Sequence, residues 1–135
     1  ALLESVKTLR TKLRLLFNRV IEGQRPENDE IEFLNSVLRM GHPALVWQAN
    51  SIPQMSYGYG ESDNQMGLLL PLALSALHLL ASADLSRLRK CHNQRCILLF
   101  YDTTKSGTRQ WCSAACLDRE RSVRRYAAKM RSTEQ

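Results

Sequence analysis

The cysteines carry the chemistry of this chain. Cys91 and Cys96 form one close pair and Cys112 and Cys116 another, all inside the stretch CHNQRCILLFYDTTKSGTRQWCSAAC. Two thiol clips separated by a hairpin-sized insert suit one tetrahedral Zn²⁺, because each clip supplies two sulfurs from about one turn of backbone. Four thiolates complete the tetrahedron and leave no position for water, so the expected zinc is structural rather than catalytic. His92 is the other candidate ligand, but it adjoins Cys91, and neighbouring residues rarely both face one ion. Spacing alone leaves two alternatives open: four unrelated buried thiols, or an iron–sulfur cluster.

The compartment bears on that choice. The opening residues ALLESVKTLR lack the charged, apolar and cleavage regions of a secretory leader, which favours a cytoplasmic location, reduced thiols and metal binding over disulfides. The chain opens on Ala1, already inside a helical pattern, as a processed or shortened chain would.

Charge is concentrated around the cysteines. Residues 87–135 hold 12 Lys and Arg against 4 Asp and Glu, whereas residues 1–86 hold 7 against 9, so the net +6 of the whole chain resides in its C-terminal part. A basic segment of this kind points to a polyanion, nucleic acid before membrane.

Three elements are expected to position the thiols. Residues 97–101 (ILLFY) and 108–111 (TRQW) read as two strands joined by a turn containing Lys105, Ser106 and Gly107. Cys116 lies in the first turn of a helix reaching about Met130. Knuckle, hairpin and ligand-bearing helix outline a treble-clef-like ββα zinc finger. At about 100° per residue, Cys116, Val123, Tyr126, Ala127 and Met130 share the side expected to pack inward, while Arg121, Arg124, Arg125, Lys129 and Arg131 share the other. Those five, with Lys105 and Arg109, are the candidate contacts to double-stranded DNA. Arg119 falls among the inward residues, so a structural role is expected for it, paired first with Asp102 on the hairpin or, second, with backbone carbonyls near the zinc loops. Trp111 and Tyr126 are expected to pack, which favours duplex phosphates over stacking on single strands.

Upstream, the pattern is helical. Leu2, Leu3, Val6, Leu9, Leu13, Leu16, Phe17 and Val20 recur at three- and four-residue steps, predicting an amphipathic helix with a solvated basic face (Lys7, Arg10, Lys12, Arg14, Arg19) and a close at Gly23. Asp29 and Glu32 have the spacing of a capping box for a second helix, with Ile31, Leu34, Val37 and Leu38 inside and Gly41 and Pro43 at its end. Residues 44–50 (ALVWQAN) and 55–59 (MSYGY) suit a hairpin or two extended pieces. Gly58 and Gly60 do not complete a dinucleotide-binding fingerprint, since Asp63 stands where the third glycine belongs. Residues 66–83 (MGLLLPLALSALHLLASA) read as a central helix buried all round, with Pro71 in its first turn and His78 as a core histidine. Pro71 and the small residues also argue against a membrane span.

These residues resemble a known family. Leu88-Arg-Lys-Cys91-x4-Cys96, Leu99-Phe-Tyr-Asp102-Thr-Thr, Arg109-Gln-Trp-Cys112-Ser and Cys116-x-x-Arg119 are similar to the CGNR-type zinc finger of bacteria, and the helical part resembles the C-terminal portion of the ABATE domain that precedes it. The resemblance implies a mainly α chain with a helical domain over 1–86 and a finger with a basic helix over 87–135. It also implies a stress-induced transcription regulator whose finger binds DNA. Such a family carries further sequence upstream. Where the family has Cys-Gly-Asn-Arg, this chain has Cys116-Leu117-Asp118-Arg119, and three residues rather than four separate its last two cysteines. The ligand set is intact; the glycine–asparagine pair is not.

The expected function is therefore a non-enzymatic, zinc-stabilised regulator acting on duplex DNA in the cytoplasm, at the nucleoid. Its helical domain would supply a core, a homodimer surface or a pocket for a small-molecule effector. No nucleophile–base pair or open metal position can be assembled from the sequence. The alternative is a zinc-finger interaction module for an acidic protein, without DNA binding.

Overall fold

The computed structural model describes residues 2–46, 53–59 and 66–133. Its fold is mainly α with a small ββα region at the cysteines, and the chain divides into two compact units, Ala1–Ala83 and Asp84–Gln135.

In the first unit, α1 (Leu2–Ile21) and α2 (Asn28–Leu38) are followed by the hairpin β1 (Gly41–Val46) and β2 (Gln54–Tyr59), a short 3-10 turn, and α3 (Leu70–Ser82). Leu9 and Leu16, seven residues apart on α1, meet Leu34 and Val37 of α2 and Leu69, Ala73 and Ala76 at α3. Alanine at two of these positions allows close backbone approach, so a thin core can still pack densely. Gly23, at φ +71, closes α1. The Gly23 N–H donates to the Val20 carbonyl at 3.1 Å and the Gln24 N–H to Arg19 at 2.8 Å. The left-handed conformation is why a glycine stands there.

The second helix starts differently from the expected box. Glu27, not Asp29, is the N-cap residue, and its N–H donates to Glu30 Oε2 at 2.9 Å. Arg19 donates through Nε to Glu30 Oε1 at 3.0 Å and also bonds Glu27. Glu30 is only 4% exposed, and a buried carboxylate needs such a cation. Arg19 therefore joins α1 to α2 instead of belonging to a solvated face. Glu32 is drawn outward by Arg39, whose Nη1 lies 2.7 Å from Glu32 Oε1. The helix ends at Leu38, and Gly41 and Pro43 belong to β1.

β1 pairs antiparallel with β2, from Gly41 opposite Tyr59 to Val46 opposite Gln54. The stretch containing Trp47, and the positions of Gly60 and Asp63, lie outside the described residues. Pro71 occupies the first turn of α3, but that helix is not buried all round. Leu70, Ala73 and Ala76 face the core, whereas Leu72, Leu77 and His78 are exposed. Two partner helices and a hairpin contain too little chain to surround a third helix. His78 is accordingly not a core residue. Among the described residues no helix is long and apolar enough to cross a membrane.

In the second unit, a 3-10 turn capped by Asp84 leads into β3 (Leu88–Lys90), which pairs antiparallel with β4 (Leu99–Tyr101) before α4 (Ala114–Thr133). The expected strand at 108–111 does not form. Its place opposite β4 is taken by the residues before Cys91, so the hairpin encloses the Cys91–Cys96 knuckle.

Truncating the core tests the first unit. Leu9→Ala, at a side chain 1% exposed, should cost about 2–5 kcal/mol, read as a lower urea midpoint with an unchanged m-value for the first unit.

Candidate metal centre

The four cysteines converge. Their sulfurs all lie within 4.8 Å of one another, with Cys112 Sγ 3.7 Å from Cys96 Sγ and 3.6 Å from Cys116 Sγ. Zinc–sulfur bonds of about 2.3 Å place the corners of a tetrahedron about 3.8 Å apart, so these separations fit one Zn²⁺. They are far too long for disulfides, and all four thiols are free. The cysteines are positioned to bind one zinc, and the all-sulfur donor set makes that zinc structural.

Each sulfur has its own anchor. Cys91 follows β3 directly, and its N–H donates to the Leu98 carbonyl at 3.0 Å, closing the knuckle. Within the knuckle the Cys96 N–H donates to the Asn93 carbonyl at 2.9 Å. The Cys112 N–H points at Cys91 Sγ, 3.5 Å away. Cys116 sits in the first turn of α4, where its N–H donates to Ser113 Oγ at 3.3 Å. His92 turns outward with its ring edge-on to Trp111, and is not among the converging ligands.

Asn93 joins the two halves of the site. It is buried, donates from Nδ2 to the Cys116 carbonyl at 3.2 Å, and accepts the Arg95 N–H at Oδ1 at 3.0 Å. One side chain thus locks the knuckle to the start of α4. Sequence reasoning missed it; the available signal was an Asn inside a tight loop, where such side chains commonly bond nearby backbone.

The thiols do not ionise alike without metal. Burial raises Cys91, but the N–H groups of Cys112 and Asn93 and the neighbouring thiols outweigh it and bring Cys91 down to about 7. Burial and the surrounding sulfurs push Cys112 up to about 12. Burial also raises Cys116, against the opposing Cys112 thiol and Ser113 hydroxyl. Four thiolates in one small volume repel one another, and a divalent cation removes that conflict.

Asp102 supports the loop between β4 and α4. It is 0% exposed; Oδ1 accepts the Thr104 N–H at 2.9 Å and the Thr104 hydroxyl at 2.6 Å, and Oδ2 accepts the Arg109 N–H at 2.8 Å. The Thr104 hydroxyl contributes most to lowering its carboxyl to about 2; burial opposes the shift, and backbone donors and the charge of Arg89 assist it. That value lies below the ordinary one of about 3.9, so the contribution of the ionised carboxylate is present above about pH 4 and is lost as pH falls through 2.

Asp102 is therefore satisfied by its own loop and is not the partner of Arg119. Arg119 is exposed on the wall of a groove beside the knuckle, and the inward pairing expected for it is not found. The side chain that does turn inward is Arg109. Its Nε donates to the Trp111 carbonyl at 2.7 Å, it also bonds the Cys112 carbonyl, and its guanidinium lies 5.2 Å from the centre of the Phe100 ring. Loop carbonyls next to a metal ligand lack strand partners, and a planar fork of donors satisfies two at once. Arg109 is thus removed from the candidate DNA contacts. Arg87 similarly serves Asp102 and Thr104, and Arg89 serves Gly107.

On α4, Arg121, Arg124, Arg125, Lys129 and Arg131 are exposed, as is Lys105 in the preceding turn. Arg121 pairs with Asp118 at 3.5 Å and Arg124 with Glu120 at 3.1 Å. The apolar side expected to pack is not covered: Val123 is 61%, Tyr126 66% and Met130 51% exposed. The short β3–β4 hairpin is too small to line a 20-residue helix, and Cys116 alone on α4 is buried among the described residues.

Two predictions concern this centre. The chain should bind one Zn²⁺, and chelation should abolish the ordered structure of the second unit, seen as collapsed amide dispersion for residues 84–133 in NMR spectra. Binding expels thiol protons, so apparent affinity should fall with acid, most steeply below pH 7, in competition with a chromophoric chelator. Separately, Asp102→Asn presents an NH₂ group to one of its present donors, and should lower Tm at pH 7 by on the order of 5–10 °C with zinc still bound.

Comparison with known proteins agrees with this geometry. Residues 87–129 match the CGNR zinc finger, and residues 1–83 match the ABATE domain, described as "Putative stress-induced transcription regulator". Both matches concern regulation or zinc binding rather than a reaction. No curated protein matches the chain closely enough to count as a relative. With the ABATE match covering more than half of its residues and the finger following, the chain belongs to the ABATE family and carries a CGNR zinc finger.

Proposed function

We propose that this protein is a DNA-binding transcription regulator of the cytoplasm, acting at the nucleoid, whose second unit contacts duplex phosphates through α4. The observation that carries the reading is the row of exposed cations on a helix whose first turn holds a metal ligand. Arg121, Arg124, Arg125, Lys129 and Arg131 all reach solvent along α4, and Lys105 is exposed in the turn after β4. The zinc fixes where the helix begins, and therefore where the charges stand.

The ion pairs on α4 do not oppose this role. Both Arg121–Asp118 and Arg124–Glu120 are surface pairs one turn apart, worth about 0–1 kcal/mol, so a phosphate can replace the carboxylate at small cost. Arg109 takes no part, being held by loop carbonyls.

A second reading has its own support. The exposed Val123, Tyr126 and Met130 give α4 an apolar stripe beside its cations, which suits docking against an acidic protein.

Duplex binding over a salt series separates the two. The wild-type chain should bind a duplex with log K falling linearly in log salt between about 50 and 200 mM, and Arg124→Ala with Arg125→Ala should reduce that slope by about 2. A slope untouched by those substitutions would sink the DNA reading, and absence of any shift at moderate salt would favour the protein partner.

A further inference from the structure

Within the second unit a groove of about 550 Å³ runs between the zinc knuckle and the first turns of α4. Arg95 stands on its knuckle wall beside Asn93 and Gln94, and Arg119 on its helix wall beside Ser122. Both arginines are exposed. We infer that this groove clamps one phosphodiester of the bound duplex between Arg95 and Arg119; the inference rests on the DNA reading above and gives that interface a fixed anchor.

The framework sets the spacing of the two cations. Arg95 donates its backbone N–H to Asn93 Oδ1 at 3.0 Å, and Asn93 donates to the Cys116 carbonyl at 3.2 Å. Cys116 lies in the first turn of α4, which carries Arg119 three residues later. The two side chains therefore spring from one metal-held frame, which reduces the ordering cost of gripping an anion between them.

The groove also contains carboxylates, and their placement decides its sign. Asp118 and Glu120 line it. Each has its own cation, Asp118 with Arg121 at 3.5 Å and Glu120 with Arg124 at 3.1 Å. Counted together, Arg95, Arg119, Arg121 and Arg124 outnumber the two carboxylates, so the cleft and its rim keep a net positive charge whichever guanidinium each carboxylate faces. The Ser122 hydroxyl and the Gln94 amide add neutral donors. Two guanidiniums with hydroxyl and amide donors are a phosphate-binding set. The groove exceeds the size of a bare phosphate ion and has room for the flanking sugars.

The site also fits the line of the helix. At about 100° per residue, Asp118, Ser122, Arg125 and Lys129 follow one another along the same side of α4. Arg119, about 100° round from Asp118, stands to one side of that line, so a phosphate it holds lies beside the first turn of the line rather than on it.

The test uses the full zinc-loaded chain and fluorescence anisotropy with a labelled duplex over the same salt series. Arg95→Ala and Arg119→Ala should each weaken binding about three- to tenfold at 150 mM salt. Because both grip one phosphate, the double variant should lose only about 0.9 from the salt slope, less than the sum of two independent contacts. Arg119→Lys should retain the slope. Asp118→Asn removes an anion from the groove and should tighten binding, a gain that a merely structural role would not produce. Zinc at one per chain and an unchanged Tm establish that each variant is folded. The inference is overturned if the double variant keeps the wild-type slope while Arg124→Ala with Arg125→Ala still reduces it; that result leaves the DNA reading standing. A wild-type chain that binds no duplex overturns the DNA reading and the clamp together.

Discussion

The second unit depends on the closure of four thiols around one cation. Few of its described residues are buried: Leu88, Cys91 and Cys116 among the apolar ones, with Asn93 and Asp102. That is far too little apolar surface to offset the ordering of some 50 residues, since each costs about 1–2 kcal/mol in backbone entropy alone. Structural zinc contributes on the order of 10–16 kcal/mol in small fingers, which is the size of effect required.

Around the metal, polar side chains take the place of a core. Asp102 gathers the backbone of its loop, Asn93 ties knuckle to helix, and Arg87, Arg89 and Arg109 satisfy carbonyls that no strand reaches. The first unit uses such a device in the Arg19–Glu30 pair between α1 and α2, beside an ordinary leucine core. The contrast reflects size: where helices can face one another, leucine and alanine suffice, and where loops surround a metal, backbone groups must be satisfied individually.

Much of this was legible in the sequence. Cysteine spacing identifies the ligand set because zinc chemistry tolerates few donor arrangements; three- and four-residue apolar steps locate α1 and α2, and a continuous apolar run locates α3, because helical geometry is local. Gly23 and Pro71 mark helix ends for similarly local reasons. What failed depended on tertiary partners. The strand opposite β4 is residues 88–90 rather than 108–111, and pairing is decided by long-range contact, not by the composition of either segment. Arg109 turns inward and Arg119 outward, the reverse of the expectation, because helical periodicity places a side chain on a face without saying whether anything covers that face. The same gap made α3 read as buried all round and His78 as a core residue.

The attachment of α4 has a geometric consequence. A 20-residue helix is about 30 Å long, and Cys116 near one end is its buried anchor among the described residues. Such a helix is a lever whose fulcrum lies at the metal. A tilt of 10° at the fulcrum displaces the far end by about 5 Å, comparable to one helical turn. Small adjustments in the thiolate cage are thus magnified along the helix, and the reach of Lys129 and Arg131 is set by the angle at which the first turn leaves the metal.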